Sequence, residues 1–122
     1  MRCAIVDDDD LSIRLMTEYI NQTDDLNLVG TFSSAIKASN ALTREPVDLI
    51  FLDVEMPDMT GLELIKSLDR KPQIILITSK KDYAIEAFEY QVADYLLKPI
   101  SYSRFLKFEL FLHRSTHPVV LG

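Results

Sequence analysis

Five residues stand at, or one place beyond, the end of an apolar run, and their side chains are suited to charge chemistry. Asp7 and Asp8 follow Cys3 to Val6, Asp53 follows Leu49 to Leu52, Thr78 follows Ile74 to Ile77, and Lys98 follows Tyr95 to Leu97. A carboxylate that ends a buried segment is held on a rigid element just where the chain surfaces, so Asp53 in particular is a candidate reactive group. Two carboxylates about 4 Å apart repel by about 4 kcal/mol at an effective dielectric of about 20, so a site that gathers three must raise a pKa or take up a cation. Hard oxygen ligands with no Cys or His adjacent to them favour Mg²⁺, which keeps several waters and accepts a phosphate oxygen. A lysine directly after an apolar run is costly to bury unless an acid awaits it, and these acids would supply one.

For the five to meet, the apolar runs must be strands of one sheet. Val47 to Leu52 reads as a strand buried on both faces, ended by the Pro- and Gly-bearing turn before Gly61. Cys3 to Val6, Leu26 to Phe32, Gln73 to Ile77 and Ala93 to Leu97 read as the others. Helical spacing joins them. Leu11, Leu15 and Ile20, with Ile13 and Met16, form a first helix capped by Asp10, and Ala35, Ile36, Ala38, Ala41 and Leu42 form a second capped by Ser33 or Ser34. Gly61 to Leu68, Asp82 to Tyr90, and a last helix from a Ser101 cap to about Arg114 complete the pattern. Strand then helix, five times over, predicts an α/β fold: a flavodoxin-like, doubly wound (βα)5 domain with a five-stranded parallel sheet in the order 2-1-3-4-5. In that order strands one and three are neighbours whose carboxyl ends flank the ligand crevice, so Asp7, Asp8 and Asp53 converge. Thr78 and Lys98 come to the same edge, and Pro99 is compatible with a cis bond that would aim the lysine inward.

At 122 residues the chain makes one domain, expected over residues 1–114, with 115–122 a tail or the start of a linker. Hydrophobic residues at 48% and charged ones at 26% fit a compact core rather than disorder. A net charge of -6 argues against direct nucleic-acid binding, so a DNA-directed role would come from another domain. No apolar run approaches the roughly 20 residues that span a bilayer, and the first run is too short for a signal peptide, so a cytoplasmic location without a membrane partner is expected. The lone Cys3 reads as core filler, and His113 and His117 as surface residues far from the crevice.

The segments IVDDDD, LIFLDVEMPDMTG, ILITS and ADYLLKPI, in this order and spacing, resemble the receiver domain of bacterial two-component response regulators. The run DYAIEAFEYQVADYLLKPI further resembles the LytTR-type (LytR/AlgR-like) subgroup, in which a DNA-binding domain follows the receiver. The resemblance implies that Asp53 accepts a phosphoryl group from a phosphohistidine on a sensor histidine kinase. It makes Asp8, Asp53 and the main-chain carbonyl of Glu55 ligands of Mg²⁺, with Asp7 acting through a metal-bound water. Lys98 would pair with the acyl phosphate, Thr78 would hydrogen-bond it, Ser79 would leave room for it, and Tyr95 would be the aromatic switch. Such a domain catalyses only its own phosphorylation and dephosphorylation. Glu55 and Lys80 would face the hydrolytic water and obstruct it, implying a long-lived phosphoryl group. Asp9 and Asp10, where many members have Glu-Pro, are read as a solvated helix-capping loop rather than ligands.

The last helix carries Phe105, Leu106, Phe108, Leu110, Phe111 and Leu112, more apolar residues than one core-facing stripe needs. The receiver resemblance implies a homodimer through helix four, strand five and helix five, favoured by phosphorylation, and the apolar excess assigns Phe108 and Phe111 to it. Two other readings compete. One is a small Mg²⁺-dependent phosphatase of the haloacid dehalogenase type with Asp7 as nucleophile and Asp9 as acid, although Leu11 stands where that motif wants Thr or Val. The other is a receiver-like interaction module that works without phosphorylation, against which the full set of Asp7, Asp8, Asp53, Thr78 and Lys98 argues.

Overall fold

A computed structural model describes residues 1–53, 56, 61–69, 71–79 and 94–108. The elements are β1 (Arg2–Val6), α1 (Asp10–Asn21), β2 (Asn27–Phe32), α2 (Ala35–Arg44), β3 (Leu49–Leu52), α3 (Gly61–Ser67), β4 (Gln73–Thr78) and β5 (Asp94–Leu97), followed by a helix over residues 102–108. The helix expected over Asp82 to Tyr90, strand residue Ala93, Lys80, the last helix beyond residue 108 and the tail at 115–122 lie outside the described residues.

The strands form one sheet, parallel as the alternation of strand and helix predicts and in the expected flavodoxin-like order β2-β1-β3-β4-β5. Side-chain alternation divides its core into two layers. Ala4, Val6, Ile50, Leu52 and Leu76 face α2 and α3, where Ala35, Ala38, Leu42, Leu64, Ile65 and Leu68 cover them. Cys3, Ile5, Leu49, Phe51, Ile75, Ile77 and Leu96 face the other way, onto Met16 and Ile20 of α1 and onto Phe105 and Phe108. The described residues of β3 are buried on both faces, hence its unbroken apolar run. In β2, the edge strand, the register with β1 slips past Val29, which is left exposed.

Ser34 caps α2, its hydroxyl accepting from the Lys37 N–H, and Ser101 caps the last helix by accepting from the Arg104 N–H. The cap of α1 is Asp9, where Asp10 is expected from sequence: Asp9 is extended and its carboxylate accepts from the Leu11 N–H, while Asp10 begins the first turn. The buried stripe of α1 is likewise Ser12, Met16 and Ile20, leaving Leu11 62% exposed. Phe108, expected at a dimer surface, is 0% exposed and packs edge-on against Phe51, with ring centroids 5.4 Å apart. It is a core residue; Phe111 lies outside the described residues.

Candidate functional site

Three main-chain hydrogen bonds extend the sheet ladder by one residue past the strand ends. Asp7 N–H donates to the Phe32 carbonyl, Asp53 N–H to the Val6 carbonyl and Lys98 N–H to the Thr78 carbonyl, each at 2.9 Å. The backbones of the acids and the lysine are thereby held as rigidly as the sheet, on its carboxyl edge. Asp7 and Asp53 are buried, at 2% and 6% exposure, and Asp8 is exposed. Oxygens from these three carboxylates, one from each, all lie within 4.8 Å of one another.

Lys98 reaches into this group from β5 across β4 and β3. Its Nζ lies 3.1 and 3.0 Å from the two carboxylate oxygens of Asp7 and 3.3 Å from Asp53 Oδ2, with Asp9 Oδ2 at 3.7 Å. The Lys98–Pro99 bond is cis, as the sequence allows. Thr78 is buried at the tip of β4, and Ser79 beside it is exposed. Tyr95 is half-buried and packs on the α2/α3 layer, the face opposite Leu96. The sequence-predicted Asp7, Asp8, Asp53, Thr78 and Lys98 thus share one edge, while Glu55 lies outside the described residues.

Among the described residues the carboxylates of Asp7, Asp8 and Asp53, with that of Asp9 at the margin, outnumber the Lys98 ammonium. Asp7 registers the excess. Burial drives its carboxyl up from 3.8 to about 6, with repulsion from Asp53 adding to the rise, and the Asp9 N–H at 2.9 Å and Lys98 only partly oppose it. Burial works against the Lys98 ammonium too, but the hydrogen bonds and charges of Asp7 and Asp53 outweigh it and raise its pKa, so Lys98 stays a cation at neutral pH. Oxygen donors, carboxylates in excess over the one described ammonium, and partial solvent access together fit a divalent cation of the Mg²⁺ kind, held by Asp7, Asp8 and Asp53.

Asp9 is the participant that sequence reasoning set aside. Its carboxylate accepts from the Leu11 N–H and from the Ser12 hydroxyl at 2.9 Å, and the Ser12 bond is the main reason its pKa is lowered. An acid so engaged is poorly suited to donate a proton, which removes the role the haloacid dehalogenase reading requires of it. Two adjacent acids before a helix leave the cap ambiguous, but the serine three places after Asp9 is a signal that could have resolved it.

An open parallel sheet whose strand order reverses beside a charged crevice is a flavodoxin-like α/β domain with its site at the topological switch point. Residues 3–108 match the family model of the response regulator receiver domain, and the chain belongs to that family. It is 38% identical over 107 residues to an uncharacterized response regulatory protein of Shewanella oneidensis, covering 86% of this chain and 45% of that protein. It is 37% identical over 109 residues to the transcriptional regulatory protein BtsR of Escherichia coli K12, covering 88% and 46%. The chain therefore spans less than half the length of these curated relatives. Among solved structures, the response regulatory domain of mrkE from Klebsiella pneumoniae superposes with a TM-score of 0.85 at 34% identity, over 95% of this chain and 96% of that one. Among the described residues no helix is long and apolar enough to cross a membrane.

Proposed function

We propose that this receiver domain accepts a phosphoryl group on Asp53 from a phosphohistidine of a sensor kinase, with Mg²⁺ in the acidic crevice. The observation that carries the reading is the buried Asp53 carboxylate with the Lys98 ammonium 3.3 Å away and the Asp7 and Asp8 carboxylates beside it. In the reaction a carboxylate oxygen of Asp53 forms a bond to phosphorus, the P–N bond breaks and the leaving imidazole takes up a proton. The divalent ion supplies charge neutralisation to the phosphoryl oxygens. Lys98, kept protonated by the acids around it, pairs with the charge that accumulates on the same oxygens. Thr78 at the neighbouring tip offers a hydroxyl, and Tyr95, three residues before Lys98, passes the change to the outer surface. The main-chain carbonyl of Glu55 completes the ligand set in this reading.

The output is transcriptional control through a LytTR-type DNA-binding domain in the full regulator. Support comes from the run preceding Lys98, from the name of the BtsR relative and from the share of that relative the chain spans. Pairing of two copies would use β5 and the last helix through exposed Leu97 and Leu106 rather than Phe108. The primary test is incubation with acetyl phosphate and Mg²⁺, read by intact-mass spectrometry. One phosphoryl adduct is expected on the wild type and none on Asp53→Asn or Asp53→Ala. An unlabelled wild type, or full labelling of either variant, refutes the assignment.

A further inference from the structure

Lys98 belongs to a short segment that leaves β5, and the packing of that segment against α1 is incomplete. A cavity of about 350 Å³ separates the two, with Leu11, Leu15 and Met16 on the helix side and Lys98, Pro99 and Ile100 on the other. α1 reaches across at two places. At its start the Asp9 carboxylate comes within 3.7 Å of Lys98 Nζ. Further along, the Tyr19 hydroxyl donates to the main-chain carbonyl of Ile100 at 2.9 Å, a contact between residues 81 apart in sequence. The Tyr19 ring is fixed independently of that bond, with its centroid 5.3 Å from that of Tyr102 and 5.5 Å from that of Phe105. The hydroxyl is thus delivered by a ring that packing holds, to a carbonyl two residues past the lysine, where the Ile100 side chain is anchored in the core but the Lys98 and Pro99 side of the segment borders the cavity.

We infer that Tyr19 is a positioning residue for Lys98: its hydrogen bond to Ile100 sets where the segment leaves the sheet and so where the ammonium stands against Asp53. The inference rests on the phosphoacceptor reading above. The backbones of the acids are fixed by β1 and β3 rather than by the segment Tyr19 holds, so loss of the phenol should displace Lys98 while leaving the carboxylates of the metal site in place.

Tyr19→Phe keeps the ring contacts and removes only the hydroxyl. Loss of one such bond is expected to slow phosphorylation by acetyl phosphate about fivefold. Mg²⁺ affinity, measured by calorimetry, should stay within about twofold of the wild type, a split that general loosening of the fold would not produce. In a Lys98→Ala background, slowed in its own right, the same substitution should have no further effect. A Tyr19→Phe protein labelled as fast as the wild type overturns the inference. So does equal weakening of Mg²⁺ binding, or a fivefold effect that persists without Lys98. An unlabelled wild type would instead refute the phosphoacceptor reading and this one with it, whereas a labelled wild type with an equally fast variant refutes the role of Tyr19 alone.

Discussion

Replacing Asp7 by Asn should stabilise the protein at neutral pH in the absence of divalent ions, although it removes a charged partner of Lys98. The Asp7 carboxyl is held at about 6 against an ordinary 3.8, chiefly by burial. A folded-state pKa above the unfolded value means that the folded protein holds the proton more tightly. Stability is therefore lost as pH rises from about 4 to about 6, and the loss is complete above that window. A shift of about two pKa units at about 1.4 kcal/mol each makes the cost of ionised Asp7 about 3 kcal/mol at pH 7. That figure already includes the attraction of Lys98, which keeps Asp53 as a partner at 3.3 Å in the variant. Asn stays neutral at every pH while its carbonyl can still accept the Asp9 N–H. Urea denaturation of both proteins in chelator should give Asp7→Asn an advantage of about 3 kcal/mol at pH 7, shrinking towards zero by pH 4. Millimolar Mg²⁺ should narrow the gap at pH 7 by stabilising the wild type more, since a ligand that binds only the folded state adds to its stability. A variant less stable than the wild type at pH 7, or an advantage unchanged between pH 7 and pH 4, would refute the account of the crevice as a store of uncompensated negative charge.

Two further substitutions probe the charges and the core. Lys98→Ala leaves buried Asp7 and Asp53 without their cation and should cost about 3–5 kcal/mol at pH 7 by urea denaturation, with part of the loss recovered near pH 5 as Asp7 takes a proton. The raised pKa of Lys98 keeps it charged across that range and up past its ordinary 10.5, so the pH dependence between 5 and 7 is that of Asp7; a loss independent of pH there would contradict the pairing. Phe51→Ala removes a fully buried ring that touches Phe105 and Phe108 and should cost about 3–5 kcal/mol in the same assay, a drop under about 1 kcal/mol showing that the last helix does not depend on that contact.

Much of this site is legible in the sequence, because strand chemistry is short-range. An apolar run that stops at a polar residue marks a strand leaving the core, and alternation with helices allows few sheet orders. The strand ends at Val6, Leu52 and Leu97, the end of β4 to within one residue, and with them the shared edge of Asp7, Asp53, Thr78 and Lys98, follow from those two facts. Ser34 and Ser101 were readable as caps for the same reason, since a cap is a contact over two or three residues.

Other features depend on how helices rotate against the sheet, which nearest-neighbour pattern does not determine. Leu11 and Ile36 have the right chemistry for a core and stand exposed, while Ser12 takes the buried face of α1 and gives its hydroxyl to Asp9. Phe108 looked like spare apolar surface on its own helix and is buried because Phe51, more than fifty residues earlier, supplies the ring it packs against. Whether the acids on the tips of β1 and β3 would gather around the ammonium of Lys98 from β5 was likewise a matter of distance, and so was the reach of Tyr19 to Ile100. Local pattern along the chain marks which side chains end the strands. Only the packed structure decided which of them lie within a few ångströms of one another, because electrostatic and hydrogen-bond energies depend on separations in space that residues far apart in sequence acquire only on folding.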